Sequence, residues 1–282
     1  MNLALNTDYS GCTGSPESRL RLMAEAGFTH VHWCHQWCQD FLYSPSEIVQ
    51  IRRWLHDDGL TLLDIHGSAG VEKCWFSPVE YERQAGVELV LNRMRMLREL
   101  DGTGTLMMHV PCFHAGISEE ERALRSSQLD GLRRSLDELQ PFSSDLQVPI
   151  AVENMSGEDY TILSSLLADY PPDFVGLCYD SGHGNYGPAA GLDFLAAHAD
   201  RLIALHLHDN DGTDDQHQPP FFGNVDWARL AAIIRGSSYP RELSFELSVR
   251  NTPFKDNGED LAPFLRDAHE RCLKFGEMVF GH

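Results

Sequence analysis

Eight short apolar runs alternate with eight helical stretches along the 282-residue chain, and this alternation constrains the fold more than any other feature. The runs are mostly continuous rather than alternating in polarity, which is typical of parallel strands that are buried on both faces. They are LALN at Leu3, HVHW at His30, LTLLDIH at Leu60, TLMMHV at Thr105, PIAVEN at Pro149, VGLCYD at Val175, LIALHLH at Leu202 and LSFEL at Leu243. The pattern predicts an α/β protein.

Serine followed by proline or glutamate marks the predicted helix starts, because serine caps a helix and proline suits its first position. The four starts are SPES at 15–18, SPSE at 44–47, SPVE at 77–80 and SEEE at 118–121. All but the first also place Glu three residues after Ser, as in a capping box. Gly27 and Gly59 are predicted to end two helices, and the last helix is predicted over about 259–275.

A single domain over residues 1–282 is the simplest architecture, since no linker or composition break divides the chain. With 42% hydrophobic residues the chain has enough apolar side chains for a full core. Eight strand–helix units predict one (β/α)8 TIM barrel. A doubly wound open sheet is the alternative, and it is weakened because no glycine-rich nucleotide fingerprint follows the first strand.

The formal net charge of −20 argues against a nucleic-acid partner, which would need basic residues against phosphates. Lysine occurs only at Lys73, Lys255 and Lys274, and none of them ends a predicted strand, which also disfavours Schiff-base chemistry. Arg250 and Lys255 follow the eighth strand, and a surface role is favoured for both over contact with a phosphate or carboxylate.

Other features of the sequence predict a cytoplasmic protein without a membrane partner. No apolar run is long enough to span a bilayer, and the N-terminus, MNLALNTDYSGC, lacks the basic and apolar segments of a signal peptide. Seven cysteines without a CxxC pair suit free thiols that behave as small hydrophobic residues.

Polar residues end several of the predicted strands, and in a barrel these ends converge on one mouth. They are His66, His109, Glu153, Asp180 with His183, His206 and His208 followed by Asp209, Asp211, Asp214, Asp215 and His217, and Glu246. Imidazoles and carboxylates around one axis are the ligand set of Zn²⁺, Mn²⁺ or a similar ion. Glu153 and Glu246 each interrupt an apolar strand, and a cation would offset the cost of burying such a carboxylate.

The remaining polar residues near the strand ends have less specific interpretations. His208 is predicted to line the rim, whereas Asp209, Asp211 and Asp214 read as solvated turn residues. His32 and His35 fit substrate contact and simple packing equally well. Tryptophans 33, 37 and 75 are core residues by default, with an apolar pocket wall as the alternative.

The motifs AVEN, CYDSGH, LHLHDND and SFELS resemble those of the xylose isomerase-like barrel superfamily, in order on strands five to eight. MAEAGFTHVHW at Met23 is similar to the first helix and second strand of its sugar-isomerase branch, where that strand often ends in Glu rather than in His32. The resemblance implies one divalent ion held by Glu153, Asp180, His206 and Glu246. It also makes Glu153 and Glu246 the acid/base pair, with substrate contacts from His183, His66, His109 and His217.

The same chain also resembles the endonuclease IV branch, which binds three zinc ions. That resemblance implies nine ligands: His66, His109, Glu153, Asp180, His183, His206, Asp215, His217 and Glu246. The acidic charge, and NTDYSGC in place of a Gly-x-His-x-Ser opening, favour the sugar branch instead. The segment HQPPFFGNVDW is similar to one in the sugar branch, and its Phe221 and Phe222 are predicted to cover a small ligand.

Taken together, the residues and the resemblance predict a metal-dependent isomerase or epimerase of a small sugar, sugar phosphate or polyol. The ion is Mn²⁺, Zn²⁺, Co²⁺ or Mg²⁺, since mixed nitrogen and oxygen ligands suit them all. The alternatives are a phosphodiesterase with two or three zinc ions, an inosose dehydratase-like lyase, and a barrel that only binds. Oligomers are common among such relatives, so a homo-oligomer is expected from the resemblance.

Overall fold

A computed structural model describes residues 1–11, 13–68, 70–114, 116–186, 190–239, 241–258 and 260–281. It contains one sheet of parallel strands in the order β7-β6-β5-β4-β3-β2-β1-β8. The strands are β1 (Leu3–Asn6), β2 (His30–Trp33), β3 (Thr61–His66), β4 (Leu106–Met108), β5 (Ile150–Glu153), β6 (Val175–Asp180), β7 (Leu202–His206) and β8 (Leu243–Phe245). The predicted strands are therefore confirmed.

The sheet closes where β7 meets β8. The Leu207 N–H donates to the Ser244 carbonyl at 3.0 Å, and the Glu246 N–H donates to the Leu207 carbonyl at 3.2 Å. This pairing completes the predicted (β/α)8 barrel and brings the residues that follow β7 and β8 to the same mouth. Strand β7 thereby lies between β6 and β8.

Helices connect the strands and pack around the outside of the barrel. They are α1 (Glu17–Ala26), α2 (Pro45–Asp57), α3 (Glu80–Glu99), α4 (Glu119–Leu146), α5 (Thr161–Asp169), α6 (Ser181–Asn185), α7 (Gly191–Ala197), α8 (Trp227–Gly236) and α9 (Ala262–Phe280). The short α6 begins directly after β6, and the sequence did not predict it as a helix distinct from α7. No helix within the described ranges is both long and apolar enough to span a membrane.

Two of the predicted capping boxes are present, at Ser44 before α2 and at Ser118 before α4, and Gly27 ends α1 with φ of 105°. The box predicted at Ser77 is wrong. The Ser77 hydroxyl accepts from the Val79 N–H at 3.1 Å and donates to Glu82 at 2.6 Å, so it closes a turn and α3 begins only at Glu80.

The predictions for the first and last helices also need small corrections. Helix α1 begins at Glu17. Pro16 therefore stands at the N-cap position rather than at the first helical position, and no side chain caps this helix. Helix α9 runs over Ala262–Phe280, later than the predicted 259–275, and residue 259 lies outside the described residues. The thiols of Cys34, Cys112, Cys178 and Cys272 are buried and free, in line with the prediction for the cysteines.

The barrel interior carries a layer of apolar side chains, several of them small, below its mouth. Met107, Ala151, Cys178 and Ala204 form this buried cluster. Because side chains on one face of a strand recur every second residue, Glu153, Asp180 and His206 lie one layer above Ala151, Cys178 and Ala204. The polar residues at the strand ends therefore rest on a packed floor.

A buried guanidinium fixes α3 against α4. Arg83 is 1% exposed and donates to Ser135 at 2.9 Å, to Glu138 at 2.6 Å and to Glu80 at 2.7 Å. Ser135 in turn donates to the Trp75 carbonyl at 2.5 Å. The Arg83 side chain thus links two helices and the loop before α3.

Replacing Arg83 with Ala should lower the free energy of unfolding by about 1–3 kcal/mol, because Ser135 and the two glutamates lose a buried donor. Urea unfolding monitored by tryptophan fluorescence measures the change. Arg134→Ala is the matched control: Arg134 contacts the same Glu80 but is half exposed, so its loss should cost less than about 0.5 kcal/mol. Equal costs for the two variants would contradict the burial argument.

Candidate metal centre

Four buried side chains from β5 to β8 converge at the barrel mouth. One ligand atom each of Glu153, Asp180, His206 and Glu246 lies within 4.8 Å of the others. His206 Nδ1 is 2.5 Å from Glu153 Oε1 and 2.9 Å from Glu246 Oε2. The structure therefore brings together the four residues that the resemblance implies as ligands of a single ion, and we call them the central group.

Electrostatics show that the central group suits a cation. Burial favours neutral glutamates, but His206 and His109 hold the pKa of Glu153 well below its usual range, and His206 does the same for Glu246. Burial would lower the pKa of His206, yet Cys178, Glu246 and Glu153 raise it well above its ordinary value. One imidazole nitrogen thus faces two ionised carboxylates, and a divalent ion is a better match for that charge than a single proton.

A second group shares Glu153 with the central group. His66, His109 and Glu153 have ligand atoms within 4.8 Å of one another, and His109 Nε2 lies 2.8 Å from Glu153 Oε2. His66 Nδ1 donates to the Gly67 carbonyl at 2.9 Å, so its Nε2 lone pair is available. Burial and the neighbouring His109 lower the pKa of His66 well below its ordinary value, which keeps this ring neutral.

The third group consists of His183, Asp215 and His217. Asp215 Oδ2 lies 3.4 Å from His183 Nε2 and 3.0 Å from His217 Nε2. The Nδ1 atoms of the two histidines contact the carbonyls of Asn154 and Glu246 at 2.9 Å and 3.2 Å. Metal-binding histidines are commonly anchored by one ring nitrogen on a carbonyl; here the second nitrogen of each ring turns toward Asp215, the third member of the group.

Asn154, which sequence reasoning did not single out, fixes the ends of β5 and β6 to one another. Its side-chain amide donates to the Asp180 carbonyl at 3.0 Å and accepts from the Asp180 N–H at 2.7 Å. Its own carbonyl accepts from His183. Its position next to Glu153 in the AVEN motif is the one signal that pointed to it.

The prediction that His208 lines the rim is wrong. His208 is fully buried; its Nε2 lies 2.9 Å and 3.0 Å from the two Asp180 oxygens, and its ring stacks on His217 at 4.2 Å. The chain after β7 folds back over the barrel, so His217 covers His208. Only glycine fits at position 182, where a Cβ would lie 1.9 Å from the His208 ring.

Asp209 is also misassigned as a solvated turn residue. It is fully buried and accepts from the Trp227 indole at 2.8 Å and from the Val225 N–H at 3.1 Å, so it ties the β7 loop to the start of α8. Asp211 and Asp214 are exposed, as predicted.

The mouth holds a cavity of about 230 Å³ beside the central group. Its lining includes Glu246, His217, Asp8, Trp37 and the exposed Arg250. The Trp37 indole donates to Asp8 at 3.2 Å, and burial together with the charge of Glu246 raises the pKa of Asp8. Trp37 is thus a wall of the cavity, whereas Trp33 and Trp75 are buried in the core.

Phe221 and Phe222 do not line that cavity, contrary to the prediction that they cover a ligand. Their rings lie against the cationic groups of Lys274 at 4.3 Å and Arg271 at 4.2 Å on α9, so cation–π contacts hold them outside the mouth. His35 is a packing residue: it contacts the Gly14 carbonyl at 2.7 Å and the Tyr43 hydroxyl at 2.9 Å.

A family model described as xylose isomerase-like TIM barrel matches residues 20–268. The chain belongs to this family. An uncharacterized protein of Sinorhizobium fredii, y4fM, is 32% identical over 284 residues, which covers 92% of this chain and 88% of that protein. An uncharacterized protein of Methanocaldococcus jannaschii, MJ1311, is 27% identical over 156 residues, about half of each chain.

Solved structures with the same fold include sugar epimerases. A D-tagatose 3-epimerase-like protein superposes with a TM-score of 0.75 at 20% identity over 99% of this chain and 98% of that one. A D-psicose 3-epimerase superposes with a TM-score of 0.75 at 17% identity over both whole chains. The IolI protein with a bound zinc atom gives 0.71 at 16% identity, also over both whole chains. At these identities the likeness shows the fold.

Gly182→Ala should lower the free energy of unfolding by about 1–3 kcal/mol, because the new methyl group displaces His208 from Asp180 in a packed interior. Urea unfolding with a chelator present measures this cost. Gly236→Ala is the control: nothing lies within 4 Å of a Cβ there, and alanine at the end of α8 should stabilise by up to about 1 kcal/mol. A neutral Gly182→Ala variant would show that His208 does not need its place against Asp180.

Proposed function

We propose that this protein is a divalent-metal-dependent isomerase or epimerase of a small sugar, sugar phosphate or polyol, acting in the cytoplasm. The observation that carries the proposal is the central group, in which two ionised, buried glutamates flank one imidazole nitrogen beside a cavity of about 230 Å³. Sugar epimerases among the proteins of the same fold support it.

In this proposal Glu153, Asp180, His206 and Glu246 hold the ion. The donors are three carboxylates and one imidazole, which suit Mn²⁺, Zn²⁺, Co²⁺ or Mg²⁺. The bound ion would polarise a carbonyl and the neighbouring hydroxyl and so acidify the C–H bond between them. The remaining work of the reaction then falls to the side chains of the chain itself.

Glu246 and Glu153 move the proton. Glu246 lines the cavity and is placed to take the proton from the face of the substrate that it meets. Glu153 contacts the same His206 Nδ1 through one oxygen and His109 through the other, and in this proposal it returns a proton to the opposite face. A proton returned to the same carbon from the opposite face inverts the configuration of that carbon. A proton returned to the neighbouring carbon converts the sugar into its aldose or ketose isomer.

The cavity wall orients the substrate and excludes water. Asp8, His217 and Arg250 offer hydrogen-bonding groups to hydroxyls, and the Trp37 ring covers one side. The Trp37 ring also packs against the His66 ring, with centroids 4.4 Å apart and planes inclined at 38°, so the wall contacts the second group. His66, His109, His183 and His217 are assigned to substrate contact in this single-ion proposal.

A multi-zinc phosphodiesterase is the second candidate, and one observation favours it. The second and third groups each offer three ligand atoms within 4.8 Å, and they adjoin the central group through Glu153 and through the Glu246 carbonyl. Sites with two or more ions activate water for phosphoester hydrolysis. The net charge of −20 opposes it if the substrate is a nucleic acid.

Metal content per chain separates these candidates. Protein purified without added metal should carry about one Mn²⁺, Co²⁺ or Zn²⁺ by plasma mass spectrometry if only the central group is loaded, and Asp215→Asn should then leave the number unchanged. Two or three zinc ions per chain, reduced by Asp215→Asn, would place phosphodiester hydrolysis first. Hydrolysis of a nucleic-acid phosphodiester that weakens steeply with added salt would then confirm the phosphodiesterase.

Glu246→Gln should slow exchange of the substrate's α-proton with D₂O by at least about 100-fold, because the amide cannot accept the proton. Proton NMR of D-fructose, D-tagatose and D-psicose follows the exchange, and the same spectra reveal a dehydrated product if the enzyme is a lyase. Glu242→Gln is the matched control, since Glu242 precedes the same strand at its other end and contacts His30. Full exchange by Glu246→Gln would remove the role assigned to this residue.

A further inference from the structure

His32 and Asp64 form a buried pair beside His206 of the central group. None of the proposed chemistry uses either residue. His32 lies on β2 directly opposite Asp64 on β3, and the two side chains are 0% and 3% exposed. His32 Nδ1 contacts Asp64 Oδ1 at 2.7 Å. The carboxylate therefore accepts a hydrogen bond from His32 Nδ1–H, which leaves His32 Nε2 as a lone-pair acceptor.

His32 Nε2 and His206 Nε2 are both buried without a hydrogen-bond partner among the described residues. The two rings are neighbours, with centroids 4.4 Å apart and planes inclined at 59°. A buried nitrogen without a partner is costly, and two of them on adjoining rings have a common remedy. One ring has to present a proton and the other a lone pair.

The contacts of the central group determine which of the two rings donates a proton and which accepts it. His206 uses Nδ1 toward Glu153 and Glu246, so Nδ1 is its ligand atom and must be free of a proton when an ion is bound. The proton of His206 then sits on Nε2, facing away from the ion. His32, with Nδ1–H given to Asp64, offers the matching lone pair.

His32 is not placed as a ligand of the same ion. One nitrogen of His32 lies within 4.8 Å of ligand atoms of His206 and Glu246, but across the described residues that grouping does not extend to Glu153 and Asp180. An ion bound by the central group would therefore lie nearer to those four residues than to His32. The role that remains for His32 is to act through His206.

We propose that Asp64 and His32 are positioning residues that hold His206 in its metal-binding tautomer. The two Nε2 atoms do not bond one another in this structure. Once His206 Nδ1 binds an ion, His206 Nε2–H would donate to His32 Nε2, whose own Nδ1–H donates to the Asp64 carboxylate. Such outer hydrogen bonds fix the orientation of a ligating imidazole and raise its basicity. The inference rests on the proposed function only in requiring that the central group binds a divalent ion.

Cys178 is the competing partner for His206 Nε2. Its thiol lies beside Glu153 and His206 on the floor of the site. A thiol sulfur is a weak acceptor, whereas an imidazole nitrogen is a strong one, so His32 is the better match. Both residues are therefore varied in the experiment.

The experiment measures the affinity of the tightest Co²⁺ site by competition with a chromophoric chelator, together with the visible absorption spectrum of the bound cobalt. His32→Phe keeps a ring of similar size without its nitrogens and should weaken binding about 10- to 100-fold. Asp64→Asn should weaken binding in the same direction. His32→Gln should recover part of the loss, because its amide can accept from His206 and donate to Asp64. The spectrum should keep its bands, because the ligands are unchanged.

His30→Phe is the matched control on the same strand: His30 faces Glu242 at 3.7 Å at the other end of the barrel, and its loss should change the affinity less than twofold. Unchanged affinity in His32→Phe, or a loss in Cys178→Ala without one in His32→Phe, would overturn the inference. Altered cobalt bands in His32→Phe would overturn it as well, by making His32 a ligand. If His32→Phe does not fold, Asp64→Asn and His32→Gln decide the question. A wild-type chain that binds no Co²⁺ would instead defeat the proposed function.

Discussion

The rest of the site depends on the two contacts that the Glu153 carboxylate makes. One oxygen contacts His206 of the central group and the other contacts His109 of the second group, at 2.5 Å and 2.8 Å. Glu153 is 1% exposed, so neither contact is weakened by water. A carboxylate in this position would be costly in an apolar barrel, and the imidazoles around it offset that cost. The other ligand side chains of the central and second groups are arranged about this one charge.

Rigid backbone elements supply the precision that such a site needs. Glu153, Asp180 and His206 are the last residues of three adjacent strands, so the sheet itself sets their spacing. Asn154 locks β5 to β6, and α6 starts directly at Ser181 with the His183 N–H donating to Asp180 at 2.7 Å. These contacts leave little freedom to the candidate ligands, so the site is pre-organised rather than adaptable.

Much of this arrangement was predictable from the sequence, because it follows from local patterns. Continuous apolar runs predicted the strands, and a carboxylate interrupting an apolar run predicted Glu153 and Glu246. The errors arose where distant segments meet. His208 is buried because the segment around His217 returns over it, and Asp209 is buried because the Trp227 indole reaches it from α8. The residues that flank His208 and Asp209 in the sequence do not predict either contact.

The pairing of His32 with Asp64 shows the same limit. Strand alternation places His32 inside the barrel, but it does not reveal whether the ring meets substrate, packs, or hydrogen-bonds to a carboxylate on the next strand. The register of β2 against β3, which shifts between Val31 and His32, sets Asp64 opposite His32. A register shift depends on packing across the whole barrel, so only the folded structure could supply it.

Charge connects the site with the identity of its substrate. A chain of net charge −20 repels polyanions at long range, and Arg250 is the one arginine or lysine among the described residues that line the cavity at the mouth. The acidic groups there are compensated locally by imidazoles and, in the proposed function, by a divalent ion on the central group. A neutral polyol meets no long-range penalty on approach, and its hydroxyls can be read by the carboxylates and imidazoles of the wall. The electrostatics of the whole molecule and the chemistry of the central group therefore both support the small polyhydroxylated substrate of the proposed function.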